Sequence, residues 1–218
     1  MKVISDLYPC LSKVLEDFVV AWMIHDIRNR IAPNQFGCLK GTSTSFCLLD
    51  MMHTWLSHLD SSNKHLRLSF LDFSKAFDRI SHNVLIKKLV DLGVRWCLIP
   101  WIISFLSDRR QRVKIGEAFL DWLPVNAGVP QGTKLGPILF LIMINDLSIL
   151  TPETNLWKFV DDVSISECLN KNSGASIQST LDTVSSWASM NLMKLNAKKC
   201  KELRVFLYSD PSTTTLTN

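Results

Sequence analysis

The chain has 218 residues, of which 47% are apolar and 20% charged, and its formal net charge is +4. An apolar share of this size supports a folded core and excludes an intrinsically disordered protein. The mild excess of basic residues permits a nucleic-acid partner without pointing to one. The most apolar stretch, Pro137–Ile144, is shorter than the roughly 20 residues that span a bilayer, and the first residues do not resemble a secretory signal. Neither a membrane partner nor secretion is predicted.

Two helices are predicted in the first third of the chain. Apolar residues recur there at spacings of three or four, the period of an amphipathic helix. They are Leu11, Val14, Leu15, Phe18 and Trp22 in the first helix, and Phe46, Leu49 and Trp55 in the second. Thr42–Ser45 offers side chains that can cap the second helix, and turn-forming residues predict a loop over Ile31–Gly37.

The period then changes to the alternation of a β-strand. Apolar residues alternate from Leu66 to Asp72, so a strand is predicted to end in an acidic residue. Two helices are predicted to follow. One runs from about Ser81 to a stop at Gly93, and the other begins near Pro100.

A hairpin is predicted over 111–125, turning at Gly116-Glu117. The glycine-rich stretch Gly128–Gly136 precedes an apolar helix that is predicted to reach about Ile149. Two short strands, Leu156–Val160 and Val163–Ser166, are then predicted to meet at Asp161-Asp162.

A further amphipathic helix over 177–187 and a last strand over 203–207 are predicted before a loose tail. Strands and helices mixed in this order, with an acidic hairpin between them, predict an α+β fold in which helices back a small antiparallel sheet. The six cysteines, at 10, 38, 47, 97, 168 and 200, show no C-x-x-C pair and no zinc spacing. They are predicted to be reduced thiols of an intracellular protein.

Three acidic residues stand where strands are predicted to end. Asp161 and Asp162 are adjacent at the hairpin tip, where their repulsion is costly unless a cation or a basic group is near. A solvated turn is the ordinary alternative for such a pair, and helix capping is the ordinary alternative for Asp72. Carboxylates from separate strands are also the ligands that hold two Mg²⁺ ions for phosphoryl transfer, because Mg²⁺ prefers oxygen.

Gly128–Pro137 holds three glycines and two prolines, so its backbone must turn sharply and can let another group approach closely. Taken alone, this stretch is as compatible with an ordinary loop before a helix as with a binding loop.

Six segments carry recognisable patterns in a fixed order. They are Asn34–Thr44 (N-Q-F-G-x-x-x-G-x-S-T), Phe70–Asp78 (with D-x-x-x-A-F-D), Arg109–Val113 (R-x-Q-R-V), Gly128–Pro137 (with P-Q-G-T-x-L-G-P), Phe159–Asp162 (F-V-D-D) and Trp187–Lys201. Together they resemble the fingers motif, motif A, the hairpin entry and motifs B, C and D of reverse transcriptases from non-LTR (LINE/jockey-like) retrotransposons. The resemblance covers about Leu11–Leu207.

The resemblance implies an RNA-directed DNA polymerase, a nucleotidyltransferase that adds dNTPs to a primer 3′-OH on an RNA or DNA template. It implies Asp72, Asp161 and Asp162 as catalytic residues and as ligands of two Mg²⁺ ions, which Mn²⁺ can replace. Asp72 and Asp161 would be the principal Mg²⁺ ligands, and the adjacent Asp162 would have a supporting role. Asp78 is expected to have a structural role.

The resemblance also implies substrate contacts, each with an ordinary alternative. Phe77 would select the dNTP sugar, or else be a core residue. Gln131 and Gly132 would lie against the nucleotide and the template. Lys199 would contact the triphosphate or protonate pyrophosphate, or else be a surface lysine. Contacts with template phosphates are implied for the hairpin residues Arg110, Arg112 and Lys114, whose alternative is a solvated hairpin edge.

The implied architecture is a polymerase palm with partial fingers and no evident thumb. Residues 1–65 would be fingers, 66–208 palm with a fingers-type hairpin inserted near 109–125, and 209–218 a loose tail. Val160 stands where the family commonly has Ala and is expected to suit the strand, and Lys2–Ser5 replaces a common Arg-Pro-Ile-Ser run. A polymerase truncated at both ends is therefore expected, with the other parts of a retrotransposon polyprotein as candidate partners.

Two other interpretations remain at this point. The chain can be an inactive remnant that at most binds nucleic acid, or a structural interaction module whose acids only solvate a turn. The location stays open: the family is compatible with the nucleus, but no localisation signal is evident in the sequence.

Overall fold

The computed structural model describes residues 2–3, 10–60, 64–149, 151, 153–170 and 177–206. Its helices are α1 (Cys10–Ile27), α2 (Thr44–Leu59), α3 (His82–Asp91), α4 (Leu98–Leu106), α5 (Leu135–Ile144) and α6 (Ile177–Met190), with a 3-10 helix at Ala76–Arg79. Its strands are β1 (Lys2–Val3), β2 (Lys64–Leu71), β3 (Arg110–Gln111), β4 (Val113–Ile115), β5 (Ala118–Phe119), β6 (Leu123–Pro124), β7 (Thr154–Phe159), β8 (Asp162–Asn170) and β9 (Lys201–Phe206). In these described stretches, none of the helices is both long and apolar enough to cross a membrane.

A four-stranded antiparallel sheet in the order β7-β8-β2-β9 organises the fold. Leu71, the last residue of β2, pairs with Val163, the second residue of β8. Phe159 pairs with Asp162 across the β7–β8 turn. Because paired residues lie side by side, this register brings the end of β2 next to the tip of the β7–β8 hairpin.

Helix α5 forms the centre of the hydrophobic core. All its residues except Pro137 are buried. A helix that is apolar on every side must be covered on every side, and α5 packs against α1 and α3. The main apolar cluster also includes Leu71 at the end of β2 and Val163 in β8, so the core reaches the sheet directly under the acidic residues.

Ionisable side chains from other elements cap both ends of α5. The buried Glu16 of α1 accepts hydrogen bonds from the amides of Lys134 and Leu135, at 2.8 and 3.2 Å. The fully buried Lys158 of β7 donates to the carbonyls of Ile144, Asn145 and Leu147, at 3.3, 3.0 and 3.0 Å. A negative group at the amino end and positive groups at the carboxyl end are the favourable arrangement with the helix dipole.

The predicted α+β architecture and order of elements are confirmed. Ser43 caps α2 by accepting from the amide of Phe46, as the sequence indicated for Thr42–Ser45. Gly93, with φ +76°, follows the end of α3. Helix α5 ends at Ile144 and not near Ile149. The tail and Leu207, which was assigned to the last strand, lie outside the described residues.

The apolar stripe that predicted α1 does not face the core. Its members Val14, Leu15, Phe18 and Trp22 are exposed, whereas Glu16, Val19, Met23 and Ile27 on another face are buried. Helix α1 therefore has apolar residues on two faces, and the periodicity predicted the helix without showing which face packs.

The predicted hairpin between α4 and α5 is also confirmed. Strand β4 pairs with β5 around Gly116, and β3 pairs with β6 at the hairpin base. The register shifts by one residue between the two halves, so the strand carrying residues 120–122 contains a bulge. Strand β1 lies along the other edge of β4, with Lys2 paired to Lys114.

The ion pair of Asp26 with Arg95 connects α1 to the segment between α3 and α4. The Asp26 carboxylate accepts from the backbone amide, Nε and Nη2 of Arg95, at 3.1, 2.8 and 2.6 Å. These bonds to the Arg95 side chain lower the pKa of Asp26 from 3.8 to about 2. Since the folded pKa is depressed, the pair stabilises the fold above pH 3.8 and loses this effect as the pH falls through about 2.

We expect Asp26→Asn to reduce the free energy of unfolding by about 1–2 kcal/mol at neutral pH. The difference from wild type should shrink as the pH falls from about 4 to about 2, because protonation then removes the same charge. Thermal unfolding followed by circular dichroism across this pH range measures it. Asp91→Asn, at an exposed position at the end of α3, is the matched control. A difference that stays constant with pH would contradict the assignment.

Candidate active site

The β7–β8 hairpin turns through Val160 and Asp161 alone, since Phe159 and Asp162 are already paired. Val160 has φ +59°, a conformation that β-branched residues rarely adopt and that costs about 1–3 kcal/mol. The expectation that Val160 suits the strand is therefore wrong, because this residue forms the turn. A strained residue at this point sets the direction in which Asp161 leaves the sheet.

The loop before α2 holds this turn in place. The amide of Phe36 donates to the carbonyl of Lys158 at 2.8 Å, and the amide of Lys158 donates to the carbonyl of Asn34 at 2.9 Å. The buried Gln35 side chain accepts from the amides of Gly37 and Val160, at 2.9 and 3.3 Å. The loop thus extends the sheet edge and satisfies the amide of the strained residue.

Gly37 lies against the turn so closely that no other residue fits. A Cβ atom built at Gly37 would lie 2.5 Å from both the amide nitrogen and the Cγ2 atom of Val160. Cβ atoms essentially never approach other heavy atoms this closely. The glycine in the N-Q-F-G motif is therefore required by its contact with the hairpin.

Asp72, Asp161 and Asp162 come together at this end of the sheet. Partial burial and the charges of Asp161 and Asp72 raise the pKa of Asp162 above its usual value, while Lys199 lowers it. Both other carboxylates are thus near enough to repel the ionised form of Asp162. A cation at this position would relieve the repulsion.

Two residues of the segment before β9 contact Asp72. Asn196 donates from its backbone amide to the Asp72 carbonyl at 2.8 Å and from its side-chain amide to Oδ2 at 3.0 Å. Lys199 Nζ lies 3.6 Å from Asp72 Oδ1, and its side chain is 68% exposed. Lys199 is therefore a surface lysine beside Asp72. Its contact with a triphosphate or pyrophosphate stays a prediction.

A wall is formed by Gly128–Thr133, which packs against the 3-10 helix that follows Asp72. Gly128, with φ +73°, lies so close to Asp78 that a Cβ would be 2.7 Å from the Asp78 backbone. The Gly128 amide donates to the carbonyl of Ile80 at 2.8 Å. The exposed Gln131 donates to Asp78 Oδ1 at 3.3 Å, and the adjacent Gly132 is exposed with φ +78°.

Phe77 stands on this 3-10 helix and is half-buried. Its ring stacks on that of Phe140 in α5, with ring centroids 4.7 Å apart. Its carbonyl accepts from the amide of Val129 at 3.0 Å. One side of Phe77 is thus anchored in the core while part of it stays accessible, so its core contact and a role in the site are compatible.

Below the site, Lys158 and Lys88 share the carboxyl end of α5. Lys88 Nζ donates to the carbonyl of Met143 and to Asp146 Oδ1, both at 2.6 Å. Burial lowers the pKa of Lys158 from 10.5 to about 8, with Asp146 opposing the shift and Lys88 adding to it. The strand that leads into the Val160-Asp161 turn is therefore fixed from beneath by the end of a core helix.

Sequence comparison decides the family. The family model for reverse transcriptase (RNA-dependent DNA polymerase) matches residues 2–214. The chain belongs to this family. A probable RNA-directed DNA polymerase from transposon BS of Drosophila melanogaster is 30% identical over 88% of this chain, and the RNA-directed DNA polymerase from mobile element jockey of the same species is 29% identical over 90%. The chain spans 22% of the length of each. The resemblance to reverse transcriptases of non-LTR elements is thus confirmed.

Solved structures show the same fold. Telomerase from Candida albicans, in complex with a TWJ fragment of telomeric RNA, matches with a TM-score of 0.63 at 16% identity, covering 94% of this chain and 35% of that chain. Telomerase from Candida tropicalis, in a corresponding complex, matches with a TM-score of 0.62 at 18% identity, covering 89% and 34%. The predicted polymerase palm is confirmed as the fold of this reverse transcriptase chain.

The donor chemistry of the acidic cluster fits Mg²⁺, which prefers carboxylate oxygens and retains water ligands. Among the residues that the structure describes, no three or more His, Cys, Asp or Glu side chains are already grouped as a metal site. The charges of Asp161 and Asp72 are near enough to raise the pKa of Asp162, but the three carboxylates are not grouped around a common point. They would therefore have to converge to hold an ion.

Sequence reasoning left several positioning residues without a role. Gln35 and Gly37 lie in the N-Q-F-G segment and Asn196 in the N-A-K-K segment, so the motifs identified them without indicating what they contact. Lys158 had a signal of its own, because it is a charged residue within a strand of apolar neighbours. Strand alternation alone did not show that the end of α5 lies beneath it.

We expect Gln35→Ala to reduce the free energy of unfolding by about 1–3 kcal/mol, because two amides lose a buried acceptor. The amide of Val160 should also exchange with solvent faster than in wild type, which hydrogen exchange read by mass spectrometry on the β7–β8 peptide measures. Gln178→Ala on the exposed surface of α6 should stay within about 0.5 kcal/mol of wild type. Unchanged exchange at Val160 would contradict the role assigned to Gln35.

Proposed function

We propose that this chain is the catalytic core of an RNA-directed DNA polymerase that adds dNTPs to a primer 3′-OH on an RNA or DNA template. The position of Asp72, Asp161 and Asp162 at the same end of a reverse transcriptase palm, set by the pairing of β2 with β8 and of β7 with β8, carries the proposal. In each cycle the 3′ oxygen loses its proton and forms a bond to the α-phosphorus, while the bond to the β-phosphate breaks and pyrophosphate leaves. Positioning and charge neutralisation supply most of the catalysis in such reactions.

Asp72, Asp161 and Asp162 would hold two Mg²⁺ ions, with Mn²⁺ as a substitute, and the ions would neutralise the charge on the phosphates. Asn196 holds one oxygen of Asp72 and leaves the other facing Lys199, so the carboxylate is oriented before substrate arrives. The strained turn at Val160 fixes where Asp161 projects. Asp162 has the more exposed position of the pair and would support Asp161.

The resemblance implies further substrate contacts. Phe77, anchored on Phe140, would exclude a ribose 2′-OH. Gln131 and Gly132 would lie against the incoming nucleotide and the template. Lys199 is exposed enough to swing from Asp72 towards a triphosphate, where it would bind the phosphates or protonate pyrophosphate.

The proposed partners are the template with its primer, dNTPs and other parts of a retrotransposon polyprotein. Template phosphates would be contacted by Arg110 and Lys114 of the hairpin between α4 and α5. Arg112, for which the resemblance implies the same contact, packs against the rings of Phe119 and Trp122 and would order them instead. The division into fingers over 1–65 and palm over 66–208, with that hairpin as an inserted fingers element, belongs to the same proposal. The pairing of 34–36 with β7 supports it, because it joins the first part of the chain to the sheet beside the turn.

Primer extension on poly(rA)/oligo(dT) with dTTP and Mg²⁺ or Mn²⁺ tests the proposal. We expect extension by the wild-type chain and a loss of at least about a hundredfold in Asp161→Ala, since electrostatic groups at a reacting centre are commonly worth that much. Asp91→Ala, which removes an exposed aspartate remote from the cluster, is the matched control. A folded wild-type chain that binds primer–template without extending it would overturn the catalytic assignment and favour an inactive, nucleic-acid-binding remnant.

Phe77→Val should raise incorporation of ribonucleotides relative to deoxyribonucleotides by about tenfold or more, a change of about 1.4 kcal/mol in discrimination. The smaller side chain would leave room for the 2′-OH. The ratio of kcat/KM for UTP and dTTP on the same primer–template measures this. Phe46→Val, at an exposed phenylalanine of α2, should leave the ratio unchanged. An unchanged ratio in Phe77→Val would assign Phe77 to the core alone.

A further inference from the structure

The hairpin between α4 and α5 carries an arginine, Arg112, that packs against two aromatic rings. The guanidinium carbon of Arg112 lies 3.9 Å from the centroid of Phe119 and 4.6 Å from that of Trp122. These distances are well within cation–π range. The planar Arg112 group is thus ordered in front of the two rings and has restricted freedom to reach phosphates by itself.

Other basic residues lie on the same face. Strand alternation places Arg110, Arg112 and Lys114 on one side of the hairpin. Phe119 pairs directly with Lys114, whose Nζ is 5.3 Å from the Phe119 ring centroid. We call Arg110, Arg112, Lys114, Phe119 and Trp122 the cation–aromatic face. Glu117 at the tip lies 3.7 Å from Lys114, so the cation–aromatic face combines ring surface with a modest positive charge.

Stacking on Arg112 does not bury the rings. Phe119 remains 46% and Trp122 48% exposed. A pair of short strands is marginally stable in water, and the cation–π contacts can help to order it. If the two rings only stabilised the hairpin, however, neighbouring side chains would be expected to cover them. Two rings that are ordered and still half accessible provide flat surfaces for another planar group.

The base of the hairpin is joined to the wall formed by Gly128–Thr133. Arg109 Nη1 donates to the carbonyl of Gly128 at 2.6 Å, and the amide of Val125 donates to the carbonyl of Arg109 at 2.8 Å. Gly128 contacts the backbone of Asp78, which in turn accepts from Gln131. The cation–aromatic face therefore projects from the wall that carries Gln131.

We infer that the cation–aromatic face binds unpaired nucleotides of the template by stacking their bases on Trp122 and Phe119, with Arg110 and Lys114 contacting the phosphates. Resting on the proposed polymerase function, this inference names the part of the template that the hairpin recognises. Bases in a duplex are stacked on each other and offer no free ring face, whereas unpaired bases do. Arg112 acts as a positioning residue that orders both rings.

Equilibrium binding separates base stacking from phosphate contact. Fluorescence anisotropy would compare three labelled probes: a short oligo(rA), an abasic strand with the same number of phosphates, and a blunt RNA duplex. Trp122→Leu keeps the apolar bulk and removes the aromatic ring. We expect it to weaken oligo(rA) binding at least about fivefold, because stacking on an aromatic ring is worth about 1–3 kcal/mol per base. Binding of the abasic strand and the duplex should change less than twofold.

Trp96→Leu is the matched control, because Trp96 is 75% exposed between α3 and α4, away from the hairpin. It should bind all three probes as wild type does. Arg112→Gln should weaken oligo(rA) binding in the same direction as Trp122→Leu, and combining the two changes should add little, since Arg112 acts through the rings. Circular dichroism of each variant checks that it remains folded.

Three results would overturn the inference: an equal loss for oligo(rA) and the abasic strand, an equal loss in Trp96→Leu, or a wild-type dimer that Trp122→Leu dissociates in analytical ultracentrifugation. The last result would make the face a protein interface.

Binding experiments in the Asp161→Ala background keep the inference separate from catalysis. Trp122-dependent binding without wild-type extension would overturn only the polymerase proposal. Extension that requires Asp161, together with binding that ignores Trp122, would overturn only this inference.

Discussion

The antiparallel pairing of β2 with β8 is the constraint on which the site depends. Asp72 is the residue after β2, and Asp162 is the first residue of β8. With Leu71 opposite Val163, residues far apart in sequence meet at one end of the two central strands. A slip of one residue would turn the side chains of β2 to the opposite face, separating Asp72 from the hairpin and moving Leu66 and Leu68 out of the core. Burial of these apolar residues therefore also keeps the acids together.

The core under the sheet contains more charge than its apolar composition suggests. Glu16, Lys88 and Lys158 bring ionisable groups to the two ends of α5. Burying such groups is costly, and the depressed pKa of Lys158, about 8, shows the cost for one of them. Each group satisfies backbone amides or carbonyls that a helix leaves unpaired at its ends. The capping contacts thus offset the burial and fix α1, α3 and β7 to one central helix, which sets where the palm sheet lies.

Most elements could be predicted because local sequence determines them. Alternation predicted the end of β2 to within one residue, since the strand ends at Leu71 and not at Asp72, and Gly93 marked the end of α3. Helix α1 has apolar residues on two faces, so its periodicity could not show which face is buried. That choice depends on the elements that pack against the helix. The roles of Gln35 and Gly37 depended on a contact across more than a hundred residues of sequence with Val160. Motif matching indicated that these residues matter. Only the tertiary arrangement shows that they support the turn.

The strain at Val160 explains why several contacts hold the β7–β8 turn in place. An alanine would have less difficulty there than a β-branched residue, whose positive φ costs about 1–3 kcal/mol. One hydrogen bond contributes only about 0.5–1.5 kcal/mol and cannot hold such a turn alone. The acceptor from Gln35 and the close packing of Gly37 act on Val160, and the β7–β8 pairing holds its neighbour Phe159 opposite Asp162. Their combined effect can exceed the strain, and the same contacts that balance it determine the direction of Asp161. In this reverse transcriptase the precision of the acidic site therefore arises from the loop before α2 as much as from the sheet that carries the aspartates.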